Sequence, residues 1–468
     1  MERDLALLIP EITIALTVVL ALLAEMLRLP RTVLSITTIG LLLATFLTVQ
    51  FLGTDSSVFG GTFRIDTLSV WAKLILLPAT VLSLLLARAE LAGSDREGVV
   101  YILVCLVSLA SVLLAGVGDS MILVLALLLS GLASFALVAY PRNDMATEAA
   151  MKFFVFASVT TSVMIFGLSY WFGGSGSTLF NELGRLESSP VVAVMGLLAI
   201  IIGLGYKASL VPFHFWAPDA YEGAPLSIAA YLSVVPKIAA ILAFAQILRD
   251  LPMLTHWPLI IAVIAVLTMT YGYLAALVQS NVVRLLAYSS IAQAGYFLLG
   301  VVAVGASPLA LQSILVFSAA YAAMNLGAFA VVMQVGRTLD AFDGVGRKNP
   351  LMGVAMVVFL LSLVGIPPLA GFVGKFLLFG AAIEADFVWL TVVAILNSVL
   401  SLAVYLRIVL PMYRQGVDSE SMTTDTGSKT TAESVSFSKP IIKLVWGIAL
   451  LFTIGIGLAA QLLLVHLA

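Results

Sequence analysis

The strongest constraint on this chain is a succession of apolar runs, each about twenty residues long, that continues from one end to the other. A lipid core offers backbone amides no water, so a run of that length crosses it as a helix. Fourteen such runs are expected, at about 7–27, 33–52, 68–88, 98–117, 119–140, 147–172, 190–216, 226–248, 255–277, 284–305, 308–335, 351–383, 387–412 and 440–465. Hydrophobic residues fill 62% of 468 positions and charged residues 10%, where a soluble domain carries roughly 25% charged. The expected fold class is all-α, a polytopic membrane protein of about 14 transmembrane helices. No soluble domain fits between the runs. The Ser/Thr-rich stretch 415–439 reads as a polar cytoplasmic loop, and the loops 53–67 and 173–189 as small hairpins or amphipathic turns. The opening Met1-Glu2-Arg3-Asp4 lacks the basic region of a signal peptide and no small-residue cleavage site follows, so the first run reads as a span.

Charge placement orients the bundle. With fourteen spans and the N-terminus outside, fifteen Lys and Arg residues, from Arg28 and Arg31 to Lys439 and Lys443, fall on the cytoplasmic side. Only Arg3, Arg64, Arg185 and Arg249 fall outside, while Lys73, Lys207, Lys237 and Lys375 lie within spans. This is the positive-inside pattern, and it puts both termini outside. The single cysteine, Cys105, excludes a disulfide framework, an iron–sulfur site and thiolate zinc in this chain. A net charge of −2 with no basic tract carries no nucleic-acid signature.

Three lysines point to function. A lysine at mid-bilayer costs roughly 2.5–3.5 kcal/mol on insertion scales, so each needs a reason to be there. Counted along a helix, Lys207 lies about 13 Å and Lys237 about 16 Å from the cytoplasmic end of its span, and Lys375 about 13 Å from the outer end. Pro212 in span seven and Pro367–Pro368 in span twelve break the helices that carry Lys207 and Lys375, and Pro236 directly precedes Lys237. A buried amine with an altered hold on its proton loads and unloads that proton, so the three lysines read as a proton path. Two broken, lysine-bearing spans five apart and approached from opposite sides also fit an inverted repeat. The chain then divides into spans 1–3 (1–97), a first five-helix repeat of spans 4–8 (98–250), a second of spans 9–13 (251–414), the loop 415–439 and span 14 (440–468).

Blander readings apply elsewhere. Lys73 fits a snorkelling anchor as well as a functional group, Glu11 an interfacial position, and Tyr140, Trp216, Trp257 and Tyr413 the aromatic belt. His214 alone would be a packing histidine; beside Lys207 it becomes a candidate relay group, with Ser209, Tyr231 and Tyr288 as further relay or water-holding groups.

Four runs carry a family resemblance: GLGYKASLVPFHFWAPDAYEGAPLSIAAYLSVVPK, VVRLLAYSSIAQAGYFLLG, DAFDGVGRKNPLMGVAMVVFLLSLVGIPPLAGFVGKF and the N-terminal LLIPEITIALTVVLALLAEML. They resemble the antiporter-like membrane subunits of the respiratory NADH–quinone oxidoreductase, complex I, from about residue 7 to 465. Within that superfamily the Tyr221–Pro225 turn and the SIAQAGY run resemble the subunit N branch, where subunits L and M and the multisubunit sodium/proton antiporters have a histidine-containing turn.

The resemblance implies a non-redox subunit that translocates protons, driven by quinone chemistry elsewhere. It implies Lys207 as the first-half channel lysine, Lys237 as the connecting lysine and Lys375 as the exit lysine. It implies no cofactor on this chain. NADH or another electron donor, flavin, iron–sulfur clusters and quinone are implied in partner subunits, with subunits L, M, K and J and membrane lipid as neighbours. The implied location is the cell inner membrane or another energy-coupling membrane such as the thylakoid. One departure stands out. The family pairs its span-seven lysine with a glutamate nine residues after an aspartate at the start of span five; here Asp119 is present and Leu128 holds the glutamate position. No Asp or Glu occurs from Ser120 to Asn143. Lys207 is therefore expected to be neutral or to find a carboxylate elsewhere, with a partner subunit favoured. A sodium/proton antiporter subunit of the Mrp type shares the lysines and broken helices, and a membrane spacer that has lost transport would fit the missing glutamate.

Overall fold

The computed structural model describes residues 2–252, 256–414 and 439–459. The polar loop expected at 415–439 lies outside these residues except for its last position, and so does the end of the expected last span. The helices are α1 (Glu2–Leu7), α2 (Ile9–Met26), α3 (Pro30–Val49), α4 (Thr67–Leu91), α5 (Glu97–Ala115) and α6 (Ser120–Val138). They continue with α7 (Asp144–Ser175), α8 (Pro190–Ala208), α9 (Trp216–Gly223), α10 (Leu226–Leu248), α11 (Trp257–Ala276) and α12 (Val282–Val302). The last six are α13 (Leu309–Val335), α14 (Val345–Lys348), α15 (Pro350–Val364), α16 (Ala370–Glu384), α17 (Val388–Tyr413) and α18 (Lys439–Leu458).

Among the described residues, 13 helices are long and apolar enough to cross a membrane, and 14 spans result when the bent stretch Asp340–Lys348 plus Pro350–Val364 counts as one. The helix ends follow from local chemistry. Asp66 closes a capping box with Ser69 at the start of α4, Asp119 accepts the Met121 amide at 2.6 Å to start α6, and Asn143 and Asn281 cap α7 and α12. The loop at 53–67 forms the expected hairpin, β1 (Ser56–Val58) against β2 (Phe63–Ile65), and the loop at 173–189 includes a 3₁₀ stretch over Phe180–Ser188.

The interior is built on α10, α12 and α13. α10 is buried along its whole hydropathy window and α12 and α13 nearly so, whereas α2, α3, α7, α17 and α18 leave broad apolar faces outward. The buried three are rich in Ala, Ser and Gly, which lets helices approach closely and puts hydroxyls where hydrogen bonds between helices can form. Lys237 sits halfway along this innermost helix, and Pro236 leaves α10 unbroken.

Two expectations change. Residues 217–225, read as a plain turn between spans seven and eight, are mostly α9, and α8 stops at Ala208. The helical rise used to place Lys207 below Trp216 therefore does not run through 209–215, and Lys207 is instead one residue from a helix end. The second change concerns Lys73. Its Nζ lies 2.5 Å from Glu11 Oε1, with both side chains buried between α4 and α2, so Lys73 is no snorkelling anchor and Glu11 is no interfacial acid. Glu11 Oε2 has no hydrogen-bond partner among the described residues, which makes the pair dependent on the ammonium. Lys73→Met should strand the carboxylate and destabilise the protein by roughly 3–5 kcal/mol, whereas Glu11→Leu with Lys73→Met should recover most of that loss. Thermal midpoints of the purified membrane complex carrying each variant check this, and an undisturbed single variant would refute it.

Candidate functional site

α8 ends where Ser209 takes a left-handed conformation at φ +60°, and the Leu210 amide closes the helix on the Gly205 carbonyl at 2.7 Å. A cis Val211–Pro212 bond follows, the Val211 amide donates to Thr268 Oγ1 on α11 at 3.1 Å, and the Trp216 indole donates across the break to the Tyr206 carbonyl at 2.8 Å. The broken ends are thus satisfied by side chains, as a break inside a membrane requires.

The second break works differently. α15 stops at Gly365, whose φ of +95° suits glycine, and a second cis bond joins Pro367 to Pro368. Gly371 then lies so close to Ser362 that a Cβ would come 1.8 Å from the Ser362 carbonyl oxygen. The carbonyl of Val364, released by the break, accepts from Lys375 Nζ at 3.0 Å. Ser398 Oγ on α17 lies 3.3 Å from the same amine, and the Tyr296 ring faces it with its centroid at 3.9 Å. A recess of about 310 Å³ opens beside this amine, between Phe376 and Val399.

Lys237 and Lys375 share one helix between them. Lys237 Nζ donates to Ser290 Oγ on α12 at 2.5 Å. The Tyr321 hydroxyl of α13 lies 2.9 Å from Ser290 Oγ and 3.0 Å from the Ser233 carbonyl, and Asn325 Nδ2 donates to Ser233 Oγ at 2.6 Å. Further along α12, Ser289 Oγ and Tyr405 OH are 2.6 Å apart, and Gln293 Nε2 reaches Tyr273 OH, Tyr405 OH and the Leu363 carbonyl within 3.3 Å. Tyr296 OH, one turn on, meets Ser398 Oγ at 2.9 Å and so returns to Lys375. From Ser290 to Tyr296 is about 9 Å of helix. Hydroxyls and an amide therefore fill most of the interval between the two amines, and no carboxylate of the described residues bonds to any of them.

Lys207 stands apart. It is 4% exposed, α8 packs on α7 and α10, and the Phe153 ring faces its amine with the centroid 5.9 Å away. Among the described residues it makes no ion pair. Leu128, at the position of the family glutamate, lies 43% exposed on the outer face of α6. The favoured expectation of a partner-subunit carboxylate meets an amine enclosed by this chain's own helices. His214 is 2% exposed with neither ring nitrogen partnered, its ring centroid 4.6 Å from that of Tyr271, and Tyr288 follows at 6.4 Å from Tyr271. Ser209 Oγ is likewise buried and unpartnered, while Tyr231 donates to the Val104 carbonyl at 2.9 Å. Lys237 and Lys375 thus each bond within clusters of hydroxyls set along α12, with no hydrogen bond among the described residues between the Ser290–Tyr321 cluster and the Ser289–Tyr405–Gln293 cluster, and Lys207, Ser209 and His214 form a separate group around the first break.

A charged cluster locks the end of span seven. Asp219 on α9 pairs with Lys152 at 2.9 Å and Arg284 at 2.8 Å, and Arg284 also holds Glu222 at 2.7 Å. Partial burial works to raise the Asp219 carboxyl's proton affinity, but the two cations override it and hold the group below its usual range. A carboxyl depressed in this way stabilises the fold at neutral pH, and its contribution fades only as acid titrates it below its ordinary value of about 4.

Residues 117–401 match the family described as NADH:quinone oxidoreductase/Mrp antiporter, TM. Subunit N 1 of NADH-quinone oxidoreductase from Streptomyces griseus is 37% identical over 461 residues, covering 96% of each chain. The chain belongs to the subunit N family. A further member, F(420)H(2) dehydrogenase subunit N from Methanosarcina mazei, is 36% identical over 405 residues, 80% of this chain and 82% of that one. Among solved structures, a chain of respiratory complex I from Thermus thermophilus superposes with a TM-score of 0.84 at 30% identity, covering 98% of this chain and 99% of that one. The subunit N relatives are parts of an enzyme complex, and this member is a multi-pass membrane protein.

The hydroxyl ladder on α12 escaped the sequence reading. Its signal was present in the run LAYSSIAQAGY, where Ser289, Gln293 and Tyr296 fall on one helical face. The isolation of Lys207 gives a test. Lys207→Met should leave the thermal midpoint of the assembled complex within about 1 kcal/mol of wild type, because no carboxylate is stranded. A loss of several kcal/mol would reveal an acid supplied from outside the chain.

Proposed function

We propose that this chain is a proton-translocating, non-redox subunit of a respiratory NADH–quinone oxidoreductase, coupled to quinone reduction in partner subunits. One observation supports it above the others: two buried amines, Lys237 and Lys375, each bonded to a serine hydroxyl beside α12 and, among the described residues, without a carboxylate to fix their charge. A neutral partner serves the ammonium as acceptor and the free amine as donor, so a proton leaves without stranding an opposite charge. Lys207, near the first break, responds to charge movement in its surroundings. A cation gathered there lowers the proton affinity of the next amine, pushing a proton from Lys237 along the α12 ladder toward Lys375 and out beside the second break. His214, with Ser209, serves the entry side. Spans 4–8 and 9–13 act as the two inverted halves of this path. The names of the curated relatives favour this reading over an Mrp-type antiporter.

The electron donor, NADH or another, together with flavin, iron–sulfur clusters and quinone, belongs to partner subunits, and subunits L, M, K and J are the expected membrane neighbours. The expected location is the cell inner membrane, with both termini on the outer side. A cysteine tag within 415–439 should be labelled only from the cytoplasm and one near Ser175 only from outside; labelling of both from one side would overturn that orientation.

Lys237→Ala should cut redox-driven proton pumping in reconstituted vesicles by about tenfold or more, equivalent to at least ~1.4 kcal/mol, while the complex still assembles. Lys237→Arg should not rescue it, because a guanidinium stays protonated. Wild-type pumping by either variant would end the relay assignment.

A further inference from the structure

Away from the lysine line, α13 ends at Val335, α15 begins at Pro350 and α18 begins at Lys439 on one face of the bundle. A groove of about 940 Å³ lies among these helix ends. Lys348 and Asn349 line it from one side and Lys443 from the other, and among the described residues its lining holds no Asp or Glu. Among the described residues neither lysine forms an ion pair, and both are exposed. Two strongly hydrated cations facing one groove whose described lining holds no counter-charge repel one another, which an anion between them would relieve. The same groove is walled by Leu351 and Leu444, 67% and 54% exposed, and by the buried Trp446, whose indole donates to Gln334 Oε1 at 3.3 Å. The recess therefore combines a basic rim at the level where helices leave the bilayer with apolar walls that continue into it.

We propose that this groove binds the phosphate headgroup of an anionic phospholipid, with Lys348 and Lys443 on the phosphodiester and the acyl chains along Leu351 and Leu444. The charge selects an anion, and basic pockets between transmembrane helices at a membrane face suit lipid headgroups. The apolar walls select a lipid over a soluble phosphate, which would leave Leu351 and Leu444 uncovered. The binding has a consequence for the path. α15 starts at this groove and ends at Val364, whose carbonyl holds Lys375, so the lipid clamps the far end of the half-helix that presents the exit amine's acceptor.

The intact complex, purified in mild detergent, provides the test by lipid mass spectrometry. Lys348→Gln with Lys443→Gln should lose about one phosphatidylglycerol or cardiolipin per complex and retain its phosphatidylethanolamine, and the corresponding Arg pair should keep the anionic lipid. An unchanged anionic-lipid count in the Gln pair, or equal loss of both lipid classes, would overturn the site. Should the Gln pair fail to assemble, a photoreactive phosphatidylglycerol added to the wild-type complex decides the matter. Cross-links on peptides of α15 and α18 support the site, and cross-links elsewhere only, or displacement by millimolar inorganic phosphate, refute it.

Discussion

An ammonium ion in hydrocarbon must find lone pairs inside the protein, and this requirement shapes the bundle around four buried lysines. The four meet it in different ways. Lys73 has a carboxylate at 2.5 Å; Lys375 has a carbonyl, a hydroxyl and an aromatic face; Lys237 has a serine hydroxyl and the Tyr221 ring at 6.0 Å; Lys207 has the Phe153 ring at 5.9 Å. The difference is chemical rather than positional. A buried ion pair resists change, since removing either charge strands the other. A hydroxyl partner carries no such penalty, because it accepts from the ammonium and donates to the amine. Lys73 thus behaves as a fixture between α2 and α4, whereas the other three keep the freedom to exchange a proton.

The helix breaks serve the same requirement. Inside an intact helix each carbonyl already accepts from the amide four residues on, so a helix end supplies the freer backbone acceptor. Ending α15 at Gly365 releases the Val364 carbonyl near the middle of the span, where Lys375 collects it. At the first break the released Tyr206 carbonyl goes instead to Trp216, so Lys207 receives nothing. The two breaks look alike in sequence, each with a proline and a lysine nearby, yet they supply opposite environments.

This contrast marks what was legible beforehand. The number of spans, the inward place of the three lysines and the polar hairpin followed from run length, depth and turn residues, because those properties are local. The Lys73–Glu11 pair was not legible, since its partners lie 62 residues apart on different helices and each alone suits an interfacial reading. The short helix α9 hid behind two prolines and a glycine that read as a turn. The ladder on α12 hid because serines and tyrosines raise little alarm in an apolar run, although their spacing places them on one face. Pairing across helices is the part that periodicity does not encode.

The Leu128 departure takes on a sharper meaning in this setting. The position faces outward from α6, while Lys207 is covered on α8, so a carboxylate there would act on this chain's amine through the intervening side chains. Its loss removes a charge from the outer surface and leaves every contact between Lys237 and Lys375 as it stands. Within the first repeat Lys207 therefore stands without a carboxylate among the described residues, while Lys237 in the same repeat and Lys375 in the second each bond to a serine hydroxyl. α10, which bears Lys237 and packs against α8 as well as α12 and α13, connects the helix of Lys207 with the second repeat. On the proposed path Lys207 acts by field and by packing, and a field across a dry interior is screened far less than one through water.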